Sequence, residues 1–225
     1  MKNRVEIIPA ILPMDFAELS EKIALIKGQT KTVQVDICDG QFVPNATWPY
    51  RKKDDSFERI MHEQEGLPGW DALDYEFDLM VNKPDEIVDE WVHAGASRLV
   101  IHAEATGDIA AALVRLSGRV EVGLAFGMDT PWDLLDLHHE RIQFVQLMGI
   151  DRVGFQHQAF DDKVIGRVKQ VRLKYPLLPI SVDGGVSLET APKLIAAGSD
   201  RLVVGSAIFN SDNYLEALER FKELS

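Results

Sequence analysis

ISVDGGVSLETAPKLIAAGSDRLVVGSAIF, residues 180–209, reads as one strand–helix–strand unit. Ile180–Val182 is a short apolar run without polar alternation, as expected of a strand buried on both faces of a parallel sheet. It ends in Asp183-Gly184-Gly185. Ser187–Ala197 then has a helical pattern stopped by Gly198. Ser187 opens that helix, although Thr190 cannot complete a capping box because it is neither Glu nor Gln. A second apolar run, Arg201–Val204, ends at Gly205-Ser206.

The same rhythm runs through the rest of the chain. Six further runs precede this unit: Ile7–Leu12, Thr32–Ile37, Tyr75–Val81, Arg98–His102, Val120–Phe126 and Phe144–Met148. Amphipathic stretches separate them. Phe16–Lys27 places Phe16, Leu19, Ile23 and Ile26 on one face behind Asp15 as N-cap. Lys83–Ala94 starts at Pro84 and stops at Gly95. Asn213–Leu224 closes the chain with Leu215, Leu218 and Phe221 on one face. Eight strand–helix repeats define an α/β protein of the (β/α)8 TIM-barrel class. A doubly wound sheet is the rival, but the glycine fingerprint expected after its first strand is missing.

The 225 residues are expected to form a single domain, 1–225, with no linker, repeat or low-complexity segment. One long charged insertion, about 49–73, interrupts the pattern and holds a short helix at Ser56–Glu63. Its two readings are a solvated helix with a loose exit, and a lid or subunit contact.

Charge narrows the partners. Lys and Arg number 24 against 36 Asp and Glu, a net charge of −12. That balance argues against nucleic acid and anionic membranes, which need clustered cations. It leaves room for a small anion held by backbone N–H groups. Cys38 is the single cysteine, so an intramolecular disulfide is excluded. The opening MKNRVEIIPAILPMDF lacks a signal-peptide core, and no apolar stretch is long enough to span a bilayer. The expectation is a cytoplasmic protein.

In this architecture chemistry sits at the C-terminal ends of the strands. The polar residues there are Gln34, Asp36, Asp39, Asp78, His102, Glu104, Gln146 and Asp183. Asp36, Asp78 and Asp183 come from different strands, and carboxylates inside a barrel need partners or a metal. Asp183-Gly184-Gly185-Val186 and Gly205-Ser206-Ala207-Ile208 leave backbone N–H groups open after strands 7 and 8, the usual phosphate site of such barrels. The plainer reading of these glycines is two tight turns.

These residues, taken in order, resemble the ribulose-phosphate 3-epimerase family over nearly the whole chain. The likeness is carried by Ile8-Pro9-Ala10-Ile11-Leu12, by Val35-Asp36-Ile37-Cys38-Asp39-Gly40 with Phe42-Val43-Pro44-Asn45, and by Asp78-Leu79-Met80-Val81. His102-Ala103-Glu104-Ala105 and the two glycine motifs complete it. The resemblance implies interconversion of ribulose 5-phosphate and xylulose 5-phosphate by proton transfer at C3 through an enediolate. It implies Asp36 and Asp183 as the acid/base pair, and Gly154, Gly184, Gly185, Gly205, Ser206, Met80 and Met148 as contacts to the sugar phosphate. It also implies a homo-oligomer and a divalent metal (Mg, Mn, Zn or Fe), with no organic cofactor.

The sequence departs from that family at the metal shell. Gln34 and Asp78 stand where it has two histidines, so the implied ligands are Gln34, Asp36, Asp78 and Asp183. Two His and two Asp suit Zn or Fe, whereas an oxygen-only set prefers Mg, Mn or Ca. Without a cation, repulsion should raise at least one carboxyl pKa. Ala10 replaces a serine and Cys38 a methionine. Gly154-Phe155-Gln156-His157-Gln158 replaces a glycine-rich phosphate loop, with His157 a potential donor. These changes keep two alternatives open: another sugar-phosphate isomerase or lyase of the same barrel group, and a non-catalytic sugar-phosphate-binding protein.

The remaining residues have plainer expectations. His62, His93, His138 and His139 are read as surface residues, His102 as a core hydrogen-bonding group or a support of the site, and Asp39 as the cap of the strand 2 turn. Trp48, Trp70, Trp91 and Trp132 are assigned to packing, and Cys38 to the pocket wall.

Overall fold

The computed structural model describes residues 4–52, 54–155 and 158–224. Gln156 and His157 therefore lie outside the described residues. Eight parallel strands close into a barrel in chain order. They are β1 (Glu6–Ile11), β2 (Thr32–Cys38), β3 (Asp74–Met80), β4 (Ala96–His102), β5 (Glu121–Phe126), β6 (Phe144–Met148), β7 (Ile180–Asp183) and β8 (Arg201–Val204). Between and after them run α1 (Phe16–Ile26), α2 (Ser56–Met61), α3 (Pro84–His93), α4 (Ile109–Leu116), α5 (Asp133–His138), α6 (Lys163–Lys174), α7 (Ala191–Ala197), α8 (Ser206–Phe209) and α9 (Tyr214–Lys222).

Every apolar run read from the sequence is a strand, displaced by no more than two residues at its ends. The reason is double burial: odd residues of β2 such as Val33, Val35 and Ile37 face the helices, while Gln34, Asp36 and Cys38 face the barrel axis. The helices pack on the outer faces. Leu19, Ile23 and Ile26 of α1 are buried in the core, and Asp15 caps the helix by accepting from the Glu18 N–H at 3.0 Å.

The charged segment 49–73, described apart from Lys53, is the later part of the connection from β2 to β3. The segment is tied down: Ser56, Ile60, Leu67 and Leu73 are buried. Trp48 beneath it donates Nε1–H to Ser56 Oγ at 2.8 Å. Phe57 and Trp91 pack at 4.8 Å between ring centroids, and Trp48 meets Trp91 edge-on at 6.0 Å. Trp132 lies under the Arg167 guanidinium at 3.9 Å, while Trp70 is exposed and packs into no core.

Besides the packing assigned to Trp70, further expectations need correction. Ser187 does not open helix α7, which begins at Ala191. Residues 187–190 instead form a turn in which the Ser187 N–H donates to Thr190 Oγ1 at 2.8 Å and the Thr190 N–H to Ser187 Oγ at 3.2 Å. Their hydroxyls satisfy each other's backbone, so the helix starts one turn later. His138 is buried, not superficial, because it sits three residues after Leu135 on the inward stripe of α5.

The N-terminal end of the barrel is closed by charge. Arg98 reaches Glu6 at 3.2 Å, Glu121 at 3.0 Å and Glu76 at 3.6 Å. Arg201 reaches Glu6 and Glu121, each at 3.3 Å. Glu76 is fully buried on the axis, and neither of its oxygens accepts a hydrogen bond. Burial raises its pKa to about 7, against the pull of Arg98 and Arg201. A carboxyl whose folded pKa lies above its unfolded one contributes stability at low pH that is lost as pH rises through the folded value. Glu76→Gln is therefore expected to be nearly neutral at pH 4.5 and to stabilise by roughly 3 kcal/mol at pH 8. Urea melts at the two pH values check this; equal shifts at both would show that Glu76 is ionised throughout.

Candidate active site

The cleft opens at the C-terminal ends of the strands. Asp36, Met80, Met148, Gly154, Asp183, Gly184, Gly185, Gly205 and Ser206 all line it. Gln34 and Asp78 are fully buried and are not part of the lining.

Strand register explains this layering. β2 and β3 pair with Gln34 beside Glu76, Asp36 beside Asp78, and Cys38 beside Met80. Side chains two apart share a face, so these pairs form successive layers up the axis. Asp183 ends β7 opposite Met148. The outcome is a cluster in which one carboxylate oxygen from each of Asp36, Asp78 and Asp183 lies within 4.8 Å of the others.

Each member is held by N–H donors. Gln34 Nε2 donates to Asp36 Oδ1 at 2.7 Å and to Asp183 Oδ2 at 3.0 Å. Asp78 Oδ1 contacts His102 Nε2 at 3.0 Å, and its Oδ2 accepts from Gln146 Nε2 at 3.1 Å. His102 Nδ1 faces Glu104 at 3.6 Å. Burial works against a charged imidazole, but the Asp78 and Glu104 carboxylates outweigh it and hold the His102 pKa up at about 10. Glu104 lies at the exposed rim, and although the loss of water around its carboxyl works against ionisation, His102, the Thr130 hydroxyl and the Gly127 N–H hold its pKa down to about 2. Burial first, then the charges of Asp183 and Asp78, push Asp36 well above the carboxylate range. Burial and Asp78 raise Asp183 to about 7, against the hydrogen bond from Gln34.

The loops are positioned by polar ties. Asp39 Oδ1 accepts the N–H groups of Gln41 and Phe42, both at 2.8 Å, and Oδ2 that of Asn82 at 2.8 Å, so it does cap the strand 2 turn. Phe42 is thereby set against the His102 ring at 5.1 Å between centroids. Asn45 Nδ2 donates to the Gly154 carbonyl at 2.8 Å, joining the loop after β2 to the loop after β6. Thr47 carries no signal in the sequence. Its hydroxyl donates to the Asp36 carbonyl at 2.9 Å and accepts the Cys38 N–H at 2.8 Å, which fixes the backbone that carries Asp36. Gln146 and Glu104 are visible in the sequence only as polar strand ends. Cys38 is buried 3.9 Å from Met80 Sδ, and burial raises its thiol pKa, so it packs and does not react.

The donor chemistry tests the fit of a metal. The three carboxylates supply oxygen atoms close enough for one hard cation. Gln34, however, turns its N–H2 toward Asp36 and Asp183, and its Oε1 is buried with no partner. Both oxygens of Asp78 already face N–H groups. As arranged, the centre is a set of carboxylates satisfied by hydrogen-bond donors, which does not fit a four-ligand cation site.

Fold and cleft together define a TIM-barrel protein with paired carboxylates and glycine-rich loops at the strand ends. The model of the ribulose-phosphate 3-epimerase family matches residues 6–209, and the chain belongs to that family. It is 31% identical to ribulose-phosphate 3-epimerase of Bacillus subtilis, with 97% of this chain and 98% of that protein aligned. Against the Escherichia coli K12 enzyme of the same name identity is 30%, covering 96% and 94%. Among solved structures, KGPDC from Streptococcus mutans superposes with a TM-score of 0.69 at 14% identity, covering 98% of this chain and 97% of that one. The 3-hexulose-6-phosphate synthase of Salmonella typhimurium gives 0.67 at 15% identity, with 97% of each chain covered. At such identities these two show the shared barrel alone. No helix among the described residues is long and apolar enough to cross a membrane.

Proposed function

We propose that the protein interconverts ribulose 5-phosphate and xylulose 5-phosphate. The observation that carries this reading is the meeting of Asp36 from β2 and Asp183 from β7 in one cleft with the glycine loops after β7 and β8. The names of the relatives support the same substrate class.

The chemistry follows from the carboxyl pair. Two half-buried carboxyls this close do not both ionise readily, so the pair holds one proton near neutral pH. The ionised member takes the C3 proton, which is acidic because it adjoins the C2 carbonyl. The electrons move to the carbonyl oxygen and form the enediolate. The protonated member then returns a proton to the other face of C3, inverting that centre. The positive imidazole of His102, facing Asp78, offsets one negative charge of the cluster. Backbone N–H groups around Gly184, Gly185, Gly205 and Ser206 hold the phosphate, and Met80 and Met148 form the wall beside the reacting carbon.

The test is ribulose 5-phosphate in deuterated water, followed by NMR. Deuterium should enter C3 as xylulose 5-phosphate appears. A folded protein that exchanges nothing would overturn the reading.

A further inference from the structure

We propose that Gln34 is the positioning residue of the acid pair: its side-chain amide spans Asp36 and Asp183, and no cation is needed between them. The inference rests on the acid/base reading above.

The amide nitrogen carries two hydrogens, and each has one carboxylate, at 2.7 Å and 3.0 Å. Gln34 precedes Asp36 by two residues on β2, so both side chains point to the axis. Asp183 comes from β7, across the barrel. One planar group therefore links two acids separated by 147 positions in the chain and fixes their separation. The other end of the amide shows what sets its orientation. Oε1 is buried and has no partner. Leaving a carbonyl oxygen unpaired is unfavourable, so the gain must lie in the two N–H donations. Turning the amide over would set Oε1 against two carboxyls that share a single proton, so it would face at least one ionised oxygen, which repels it unless a cation intervenes. Asp78 has no such need, because His102 Nε2 and Gln146 Nε2 face its two oxygens. The three carboxylates are thus met by four N–H contacts from three side chains.

The full-length protein, its Gln34→Met variant and its Gln34→Glu variant decide the matter. Methionine keeps the volume and apolar stem but donates nothing. Its kcat should fall about 10²-fold with KM nearly unchanged, because misplaced acids cost rate more than binding. Glutamate replaces two donors by a fourth carboxylate, so it should lose kcat and gain Mn²⁺ binding, read by electron paramagnetic resonance. The unmodified protein should bind no stoichiometric Mn²⁺, and its exchange should be insensitive to EDTA. Stoichiometric Mn²⁺ binding by the unmodified protein, exchange abolished by EDTA, or a Gln34→Met kcat within twofold would each overturn the proposal. A readout free of turnover separates it from the reading it rests on. The Gln34 side-chain N–H2 signals, assigned by their loss in Gln34→Met, should move in Asp183→Asn and stay sharp when Mn²⁺ is added. If the protein turns over no sugar phosphate, the acid/base reading falls, and these signals still decide whether the bridge exists.

Discussion

Asp183→Asn should abolish proton exchange at C3 while leaving sugar-phosphate affinity within about threefold, since a lost acid/base group costs about 10²–10⁴-fold in rate. Asparagine has the same shape and keeps an oxygen for the Gln34 N–H that now reaches Asp183 at 3.0 Å. The Gly184–Gly185 turn follows directly and keeps its backbone. What the variant loses is the capacity to take or return a proton. Its stability should change in the opposite sense. Burial and the Asp78 charge raise the Asp183 pKa to about 7, so ionising it disfavours the folded state increasingly as pH rises through that value. The variant is therefore expected to melt above the parent at pH 8 and to approach it below pH 4. Deuterium incorporation, calorimetric titration with a phosphorylated substrate analogue, and melts at both pH values check the three parts. Equal losses of exchange and affinity would make Asp183 a phosphate-positioning residue.

The strands and the converging aspartates are legible in the sequence because each depends on local pattern. Ile180–Val182 and Arg201–Val204 announce buried strands by composition, and Asp183 announces itself by ending one of them. The supports are not legible in the same way. Whether His102 serves the core or the site depends on which way its ring points. Only the β3–β4 register shows Asp78 within 3.0 Å of it. Gln34 carries no mark of a donor as opposed to a ligand, because both readings use the same amide. The ion network at the closed end joins β1, β3, β4, β5 and β8, so no sequence window contains it. The burial of His138 escapes a sequence reading because α5 is six residues long, too short for a hydrophobic period to declare its inward face.

Gly185→Ala should raise KM for the sugar phosphate by about 10–100-fold with kcat changed little, because the cost of a strained, crowded backbone, about 1–3 kcal/mol, falls on binding. Gly185 has φ +68, in the left-handed region. A Cβ there would lie 2.8 Å from the Phe160 Cα, a backbone atom that cannot swing aside. Phe160 belongs to the loop after β6, whose ring edge also approaches Gly149. An alanine must therefore push the β6 and β7 loops apart, on the side of the cleft assigned to the phosphate. Gly205→Ala is the matched control. Gly205 has φ −95, and its added Cβ would meet the Ala10 carbonyl at 3.3 Å, a contact that a small shift relieves. A milder rise in KM is expected there. Competition by inorganic phosphate, measured for both variants, isolates the phosphate subsite from the rest of the sugar. If Gly185→Ala retains its phosphate affinity, the glycines after β7 serve the turn alone. The anion must then be held elsewhere in the cleft, and the reading of two cooperating glycine loops fails with it.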